Sequence, residues 1–217
     1  MLADTWRYTG GDSCARFFSL SLQDVKPPVS DECRTLEIGC SEFDWLSVAR
    51  QCWPRMALTG IDWRAEERHR YEDVVVRRAD VRQADLFPPN RFDLIVSISA
   101  IEHVGLGHYG KPRDPVDPNG DITAIENSWE WLVPGGWLFF DVPWKPGEGQ
   151  YMVAGTSHRV YDRATLRERF WSRKPWRVMA TTVAGKGVEG LIKGEPPPCS
   201  ASGEDFYYFG MWLQKPE

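Results

Sequence analysis

The sequence predicts an α/β protein built on a doubly wound, mostly parallel sheet of seven strands with an antiparallel hairpin at one edge. Short apolar runs alternate with segments of helical periodicity, the order expected when helices cross over between parallel strands. Residues 92–98 are almost continuously apolar, as in a strand buried on both faces. No helix is predicted between the last two strands, so we expect these two strands to pair antiparallel.

The predicted elements follow one another from residue 34 onward. Leu46, Ala49 and Cys52 give the first crossover helix an apolar stripe. Asp121 is the expected N-cap of the next helix, because an aspartate side chain accepts hydrogen bonds from the free amides of a first turn. The strands are predicted at 34–39, 56–62, from 74 onward, 92–98, 137–142, 176–183 and 205–213, and the helices at 43–52, 121–132 and 163–171.

The chain is predicted to be one domain preceded by a short segment. At 217 residues it is long enough to bury a full core. Residues 1–33 are polar with scattered aromatic side chains, and Pro27 and Pro28 separate them from the first strand. We interpret residues 1–33 as a cap or lid over a ligand and residues 34–217 as the domain that holds the ligand.

The charge of the chain argues against nucleic-acid binding, and its cysteine content argues against disulfides and structural zinc. The formal net charge of −5 and the pI of about 5.5 argue against broad binding to a phosphate backbone. Five cysteines, an odd number without a C-x-x-C pair, predict neither a disulfide framework nor a structural zinc site. We therefore expect a reducing, cytoplasmic setting, and the sequence shows no apolar segment that predicts a signal peptide or a membrane span.

Two strand ends indicate a pocket for a nucleoside. The first strand ends in Glu37, Ile38 and a glycine turn at Gly39, and the second strand ends in Asp62. Gly39 lets the backbone approach a ligand closely, and the Asp62 carboxylate is placed to accept hydrogen bonds from both ribose hydroxyls. A dinucleotide site needs G-x-G-x-x-G at the first turn. A single glycine preceded by an acid favours S-adenosylmethionine over NAD.

The following residues complete this predicted pocket. Trp63 is expected to stack on the adenine ring. Asp80, after the third strand, is expected to accept from the adenine amino group while the amide of Val81 reaches a ring nitrogen. Asp85 remains an alternative to Asp80, because the loop has no fixed register in the sequence.

The order of these motifs resembles the class I S-adenosylmethionine-dependent methyltransferases, whose fold is Rossmann-like. The resemblance spans residues 34–142 and implies that Cys40, Ser41 and Ser97 also line the cofactor site. The usual third residue of the first motif is glycine, and here it is Ser41. The matching segments are Leu-Glu-Ile-Gly-Cys-Ser at 36–41, Ile-Asp at 61–62, Ala-Asp-Val at 79–81, Phe-Asp-Leu-Ile-Val-Ser at 92–97 and Leu-Val-Pro-Gly-Gly-Trp-Leu at 132–138.

A finer resemblance is to a poorly characterised methyltransferase-like family, known mainly as a domain of unknown function. It supports the same fold and cofactor and implies no settled substrate. The segments that carry it are Ile-Glu-His-Val-Gly-Leu-Gly-His-Tyr-Gly at 101–110, Asp-Pro-Val-Asp-Pro-Asn-Gly-Asp at 114–121 and Ser-His-Arg-Val-Tyr at 157–161.

Three histidines are the candidate general bases. His103 and His108 follow the fourth strand, and His158 comes from a later loop. An unperturbed histidine titrates near neutrality, which suits proton removal from a hydroxyl group. Residues next to these histidines are candidate substrate contacts. These neighbours are Glu102, Tyr109, Arg159 and Tyr161. For Arg159 and Tyr161 the alternative is a structural hydrogen-bond cluster.

The predicted activity is methyl transfer from S-adenosylmethionine to a small-molecule acceptor, with an oxygen atom of a sugar or secondary metabolite favoured. No metal is predicted, because the spacing of Asp114, Asp117 and Asp121 is not that of a calcium loop. The segment after strand four lacks the Asn/Asp-Pro-Pro-aromatic signature of amino-group methylases of nucleic acids. The sequence leaves the oligomeric state open.

Three alternatives remain at this level. A nicotinamide-dependent oxidoreductase is disfavoured by the missing glycines. A catalytically silent binding subunit would keep the same fold, because methyl transfer has no obligatory nucleophile that a sequence would reveal. A partner-dependent RNA methyltransferase would need Arg77, Arg78 and Arg82 to converge with other basic groups.

Overall fold

A computed structural model describes residues 25, 27–40, 45–64, 74–107, 116–145, 152–154, 158–185, 188–192 and 207–217. Their strands are β1 (Arg34–Ile38), β2 (Ala57–Asp62), β3 (Val75–Arg78), β4 (Phe92–Ser97), β5 (Leu132–Trp144), β6 (Met152–Ala154), β7 (His158–Val160), β8 (Arg177–Gly185), β9 (Val188–Ile192) and β10 (Tyr207–Gln214). Their helices are α1 (Trp45–Cys52), α2 (Gly120–Trp131) and α3 (Arg163–Leu166), with a 3-10 turn at Ile101–His103 and a π-helix at Arg167–Trp171.

The main sheet has the strand order β3-β2-β1-β4-β5-β10-β8-β9. The pairs from β3 to β5 are all parallel. β10 lies antiparallel between β5 and β8, and β9 pairs antiparallel with β8. The predicted fold class is confirmed. Strands β6 and β7 form a separate two-stranded hairpin.

Two regions differ in detail from the expected boundaries. β5 begins at Leu132 rather than near 137, and its pairing with β4 shifts register between Phe92 and Leu94. Gly135 makes this irregular start possible, with a φ of 79° and its amide donating to the Lys215 carbonyl at 2.9 Å. β9 adds an eighth strand within the stretch expected to connect the last two strands.

Two clusters of buried side chains cover the two faces of the sheet. Leu36, Ile38 and Ile95 belong to the cluster that packs against α2, α3 and the π-helix. Leu94, Val96 and Phe139 belong to the cluster on the α1 face. Successive residues of one strand therefore serve opposite faces, which is why the central strands are apolar throughout. Many tryptophans of the chain fill these clusters, namely Trp45, Trp131, Trp137, Trp144, Trp176 and Trp212.

The start of α2 corrects one expectation. The N-cap residue is Asn119, and Asp121 lies inside the first turn with no exposed surface. The expected capping role for Asp121 was wrong because the side chains of Tyr161 and Arg169 bind its carboxylate from outside the helix. No helix within the described ranges is both long enough and apolar enough to cross a membrane.

Candidate functional site

The carboxyl ends of β1, β2 and β4 lie side by side and bring three predicted site residues together. Ile38 pairs with Ile61 on one side and with Ser97 on the other. Gly39 follows Ile38, and its amide donates to the Ile61 carbonyl at 2.8 Å. Asp62 ends β2 and is 5% exposed. Gly39, Asp62 and Ser97 therefore border one edge of the sheet, where ligands of open α/β sheets bind.

The turn at Gly39 requires glycine for two independent reasons. Its φ is 84°, a left-handed conformation that strains other residues. A Cβ atom at Gly39 would also lie 2.3 Å from the Cβ of Ala100, in the segment after β4. Gly60 makes room on the other side, since a Cβ there would lie 2.7 Å from Cys40 Sγ. The turn, including the buried Cys40, is thus packed tightly between β2 and the exit of β4.

Two acidic side chains, Glu37 and Asp62, lie at this edge, and neighbouring arginines hydrogen-bond to the segment that follows β2. Glu37 is 1% exposed and lies one pair before the strand ends. The Arg64 amide donates to Asp62 Oδ1 at 2.7 Å, and the Arg64 guanidinium lies 3.4 Å from the same oxygen. Trp63 is half-buried, and its carbonyl accepts from Arg78 Nε at 3.1 Å. The two basic side chains therefore order the backbone that follows β2.

Asp80 and Val81 lie just beyond β3, which ends at Arg78. Burial raises the pKa of Asp80, but the hydrogen bonds and charge of Arg82 outweigh it and bring the pKa below its usual range. Arg82 binds both carboxylate oxygens, at 2.9 Å and 2.6 Å. The Val81 carbonyl accepts from Asn127 Nδ2 at 2.9 Å, which ties this segment to α2. Asp85, the alternative to Asp80, is exposed.

Two of the three predicted bases come together. His103 ends the 3-10 turn after β4, and His158 begins β7. Their ring centroids are 6.2 Å apart. Glu102 is 2% exposed, and its Oε1 lies 3.7 Å from His103 Nε2. The predicted residues His108, Tyr109 and Ser41 lie outside the described residues, as does most of the predicted cap over residues 1–33.

Arg159 was predicted either to contact a substrate or to belong to a structural hydrogen-bond cluster. Its side chain is fully buried, and its guanidinium donates to four main-chain carbonyl oxygens. Two of these, at Glu102 and Val104, flank His103 and lie 3.2 Å and 2.7 Å from Nη1. The other two belong to Asp117 and Pro118. These contacts favour a structural role, in which Arg159 holds the segment that carries His103.

Tyr161 is also fully buried, and its hydroxyl donates to Asp121 Oδ2 at 2.9 Å. Arg169 binds the same carboxylate at 2.8 Å and 2.6 Å. Burial, followed by the charge of Asp121, raises the pKa of Tyr161 well above its ordinary value. Tyr161 thus supports α2 rather than facing an open cavity. We call the buried Asp121, Arg159 and Tyr161, together with the half-buried Arg169, the buried polar cluster.

The sequence interpretation overlooked Asp141 and Ser99. Asp141 lies within β5 at 1% exposure, and its Oδ1 accepts from the Ser99 amide at 2.5 Å. Ser99 has a φ of 46°. The available signal was one charged residue inside the apolar run of residues 137–144. Within the described ranges, no three His, Cys, Asp or Glu side chains are grouped so as to hold a metal ion.

Solved structures show which fold the chain has. Burkholderia thailandensis 1,6-didemethyltoxoflavin-N1-methyltransferase, solved with 1,6-didemethyltoxoflavin and S-adenosylhomocysteine, matches with a TM-score of 0.66, covering 97% of this chain and 81% of that chain at 14% identity. The N-methyltransferase NodS from Bradyrhizobium japonicum matches at 0.55, with 95% and 99% coverage and 16% identity. The (4+2)-cyclase SpnF matches at 0.58, with 93% and 80% coverage and 15% identity. The chain has the class I fold of S-adenosylmethionine-dependent methyltransferases.

A family model assigns the chain more narrowly. The model described as "Caenorhabditis protein of unknown function, DUF268" matches residues 58–170, more than half of the sequence. The chain belongs to this family. No curated protein matches the sequence.

Proposed function

We propose that this chain binds S-adenosylmethionine at the ends of β1, β2 and β4 and transfers its methyl group to an oxygen atom of a small molecule. The observation that carries this proposal is the convergence of the Gly39 turn, the buried Asp62 and Ser97 at one edge of the sheet. A nucleoside needs this combination of close backbone approach and a carboxylate for its ribose.

The chemistry of the residues fits this cofactor. Ser97 Oγ is fully buried and has no hydrogen-bond partner among the described residues, so the edge offers a polar atom to a ligand. In this proposal Asp62 accepts hydrogen bonds from the ribose hydroxyls, while Glu37, Gly39 and Cys40 border the amino-acid end of the cofactor. Trp63, Asp80 and Val81 border the adenine, in the order in which β2 and β3 end.

Methyl transfer requires orientation more than covalent help from the protein. The sulfonium of the bound cofactor supplies an activated methyl group. Correct orientation is worth about 7–11 kcal/mol of the barrier. A hydroxyl acceptor also needs a base, and His103 and His158 lie close enough together to share that task. The Oε1 atom of the buried Glu102 lies 3.7 Å from His103 Nε2, next to the imidazole that would take up the proton.

The arginines in and after β3 give no support to a nucleic-acid acceptor. Arg78 donates to the Trp63 carbonyl, and Arg82 is paired with Asp80. Arg77 is exposed, but the net charge of the chain is −5. A small acceptor is therefore the better proposal. RNA is included in the acceptor panel below as the alternative.

The test is transfer of a labelled methyl group from S-adenosylmethionine to a panel of sugars, phenols, carboxylic acids, amines and RNA. Label recovered in methyl ethers or methyl esters, with at least a tenfold loss in both His103→Gln and His158→Gln, about 1.4 kcal/mol, would support the proposal. Labelled amines or RNA would replace the oxygen acceptor. Cofactor binding without any transfer across the panel would favour a silent binding subunit.

A further inference from the structure

We propose that Asp141 is a positioning residue: through the amide of Ser99 it sets the path of the segment that carries Glu102 and His103 past the cofactor turn. This inference rests on the proposed function for its catalytic meaning, but its structural content is independent of any ligand. Asp141 is buried and is not among the residues proposed to contact the cofactor or the acceptor.

The backbone of Ser99 is strained. Within the described residues, Asn90 and Ser99 are the two residues other than glycine that have a positive φ, at 57° and 46°. Asparagine tolerates this conformation comparatively well, whereas serine does so less readily. Ser99 therefore needs a compensating interaction. The hydrogen bond from its amide to Asp141 Oδ1, 2.5 Å long, provides one.

The hydrogen bond between Ser99 and Asp141 lies at the exit of β4. Val96 pairs with Glu37 on β1 and with Phe139 on β5. Two residues further along these strands, Asp141 and Gly39 stand on either side of the β4 exit. Asp141 is 1% exposed, so its carboxylate reaches Ser99 from a protected position inside the sheet layer. A charge-assisted bond in such a position is stronger than an exposed one.

Ala100 connects Ser99 to both the Gly39 turn and His103. Ala100, the next residue, lies against Gly39 so closely that a Cβ on Gly39 would be 2.3 Å from the Ala100 Cβ. The His103 amide donates to the Ala100 carbonyl at 3.1 Å and closes the 3-10 turn. Asp141 therefore fixes Ser99, Ser99 fixes Ala100, and Ala100 determines both the clearance at Gly39 and the position of His103.

The experiment compares Asp141→Ala and Asp141→Asn with the double variant Asp141→Ala/Ser99→Gly. Glycine adopts a φ of 46° without the cost that serine bears, so Ser99→Gly should recover much of the loss if Asp141 acts through Ser99. Asp141→Asn keeps an oxygen acceptor and the side-chain volume, so it should fold even if the alanine variant does not.

Asp93→Ala is the matched control. Asp93 also accepts from a backbone amide, that of Arg34 at 2.8 Å, but it lies at the opposite ends of β1 and β4. It should lower overall stability without affecting the segment after β4. Thermal unfolding of all variants separates loss of global stability from local loosening.

Two readouts are needed, and the first requires no ligand. Hydrogen exchange of a peptide covering residues 99–107 should be about tenfold faster in Asp141→Ala than in Asp93→Ala, as expected for loss of one charge-assisted bond, and Asp141→Asn should lie between wild type and Asp141→Ala. The second readout is calorimetric affinity for S-adenosylhomocysteine, which should fall in the same order and recover at least partly in the double variant.

The outcomes separate this inference from the proposed function. Unchanged exchange over residues 99–107 in both Asp141 variants would overturn the inference, as would failure of Ser99→Gly to restore protection. If wild-type protein does not bind S-adenosylhomocysteine, the proposed function fails, while the exchange data still decide whether Asp141 holds the segment. If exchange changes but affinity does not, Asp141 has no positioning role at the cofactor site.

Discussion

At the scale of single residues, Gly39 and Gly135 share a left-handed backbone but differ in what surrounds them. Their φ angles are 84° and 79°. A Cβ on Gly135 would meet nothing closer than Glu217 Cγ at 3.9 Å, whereas one on Gly39 would lie 2.3 Å from the Ala100 Cβ. Alanine at either position should cost about 1–2 kcal/mol of stability through backbone strain.

Gly39→Ala should carry a further penalty that Gly135→Ala lacks. The collision with Ala100 pushes the turn away from the β4 exit, so affinity for S-adenosylhomocysteine should fall at least about tenfold, or 1.4 kcal/mol. Gly135→Ala should bind normally. Chemical denaturation and calorimetry on both variants check this, and equal affinities would contradict the placement of the cofactor beside Gly39.

Asp62 is the residue on which ribose recognition depends. Asp62→Asn keeps the shape of the side chain but removes its charge, so affinity for S-adenosylmethionine should fall roughly 10- to 150-fold, the equivalent of about 1.5–3 kcal/mol. Asp85→Asn, at an exposed position, is the matched control. Calorimetric titration measures both, and a drop confined to Asp85→Asn would place the pocket elsewhere.

At the scale of elements, the buried polar cluster joins α2, β7 and the helical segment after it. The Tyr161 hydroxyl and the Arg169 guanidinium both bind Asp121. Tyr161→Phe removes one donor from a buried carboxylate and should lower the free energy of unfolding by about 1.5–3 kcal/mol. Tyr208→Phe, at a side chain that is 38% exposed, should change it by less than about 0.5 kcal/mol. Urea denaturation compares the two.

The same tyrosine predicts the alkaline behaviour of the protein. Because burial and then Asp121 raise the pKa of Tyr161 in the folded state, its contribution is fully present below the unfolded value of about 10 and is lost as pH rises toward the folded value. Stability should therefore decline above about pH 10, and Tyr161→Phe should flatten part of that decline. Melting temperatures between neutral and strongly alkaline pH would show it; equal slopes for both proteins would contradict it.

Stability at acid pH depends in part on the ion pair between Arg34 of β1 and Asp93 of β4. The hydrogen bonds of Arg34 hold the pKa of Asp93 below its usual range. A depressed folded-state pKa contributes stability that is present above the unfolded value of about 3.9 and is lost as pH falls through the folded value. Asp93→Asn should therefore remove part of the acid dependence of stability below about pH 4. Solvent screening of this partly exposed pair keeps the effect small.

At the scale of the whole molecule, local patterns predicted the fold class and the central strands, but not β6, β7, β9 or the roles of buried polar residues. The central strands were recognisable because parallel strands buried on both faces are apolar throughout. β9 was not, because glycine and glutamate interrupt its short sequence, Val-Glu-Gly-Leu-Ile. An edge strand depends on a neighbour to form, and that neighbour is not visible in a local window.

The candidate site shows the same division. Gly39 and Asp62 were predicted because turn geometry and strand ends leave a signature within a few residues. Arg159 reaches carbonyl oxygens 55 and 57 positions earlier in the chain, and Asp141 reaches an amide 42 positions earlier. Such contacts arise only when the sheet assembles. A fully buried arginine between main-chain carbonyls is a structural element that composition and spacing do not reveal.

The most direct measurement of the central claim is calorimetric titration of the purified protein with S-adenosylmethionine, with NAD as the control ligand. We expect saturable one-site binding of S-adenosylmethionine, lost or strongly weakened in Asp62→Asn, and no binding of NAD. Binding of NAD, or S-adenosylmethionine affinity unchanged by Asp62→Asn, would contradict the assignment of this strand edge as the cofactor site.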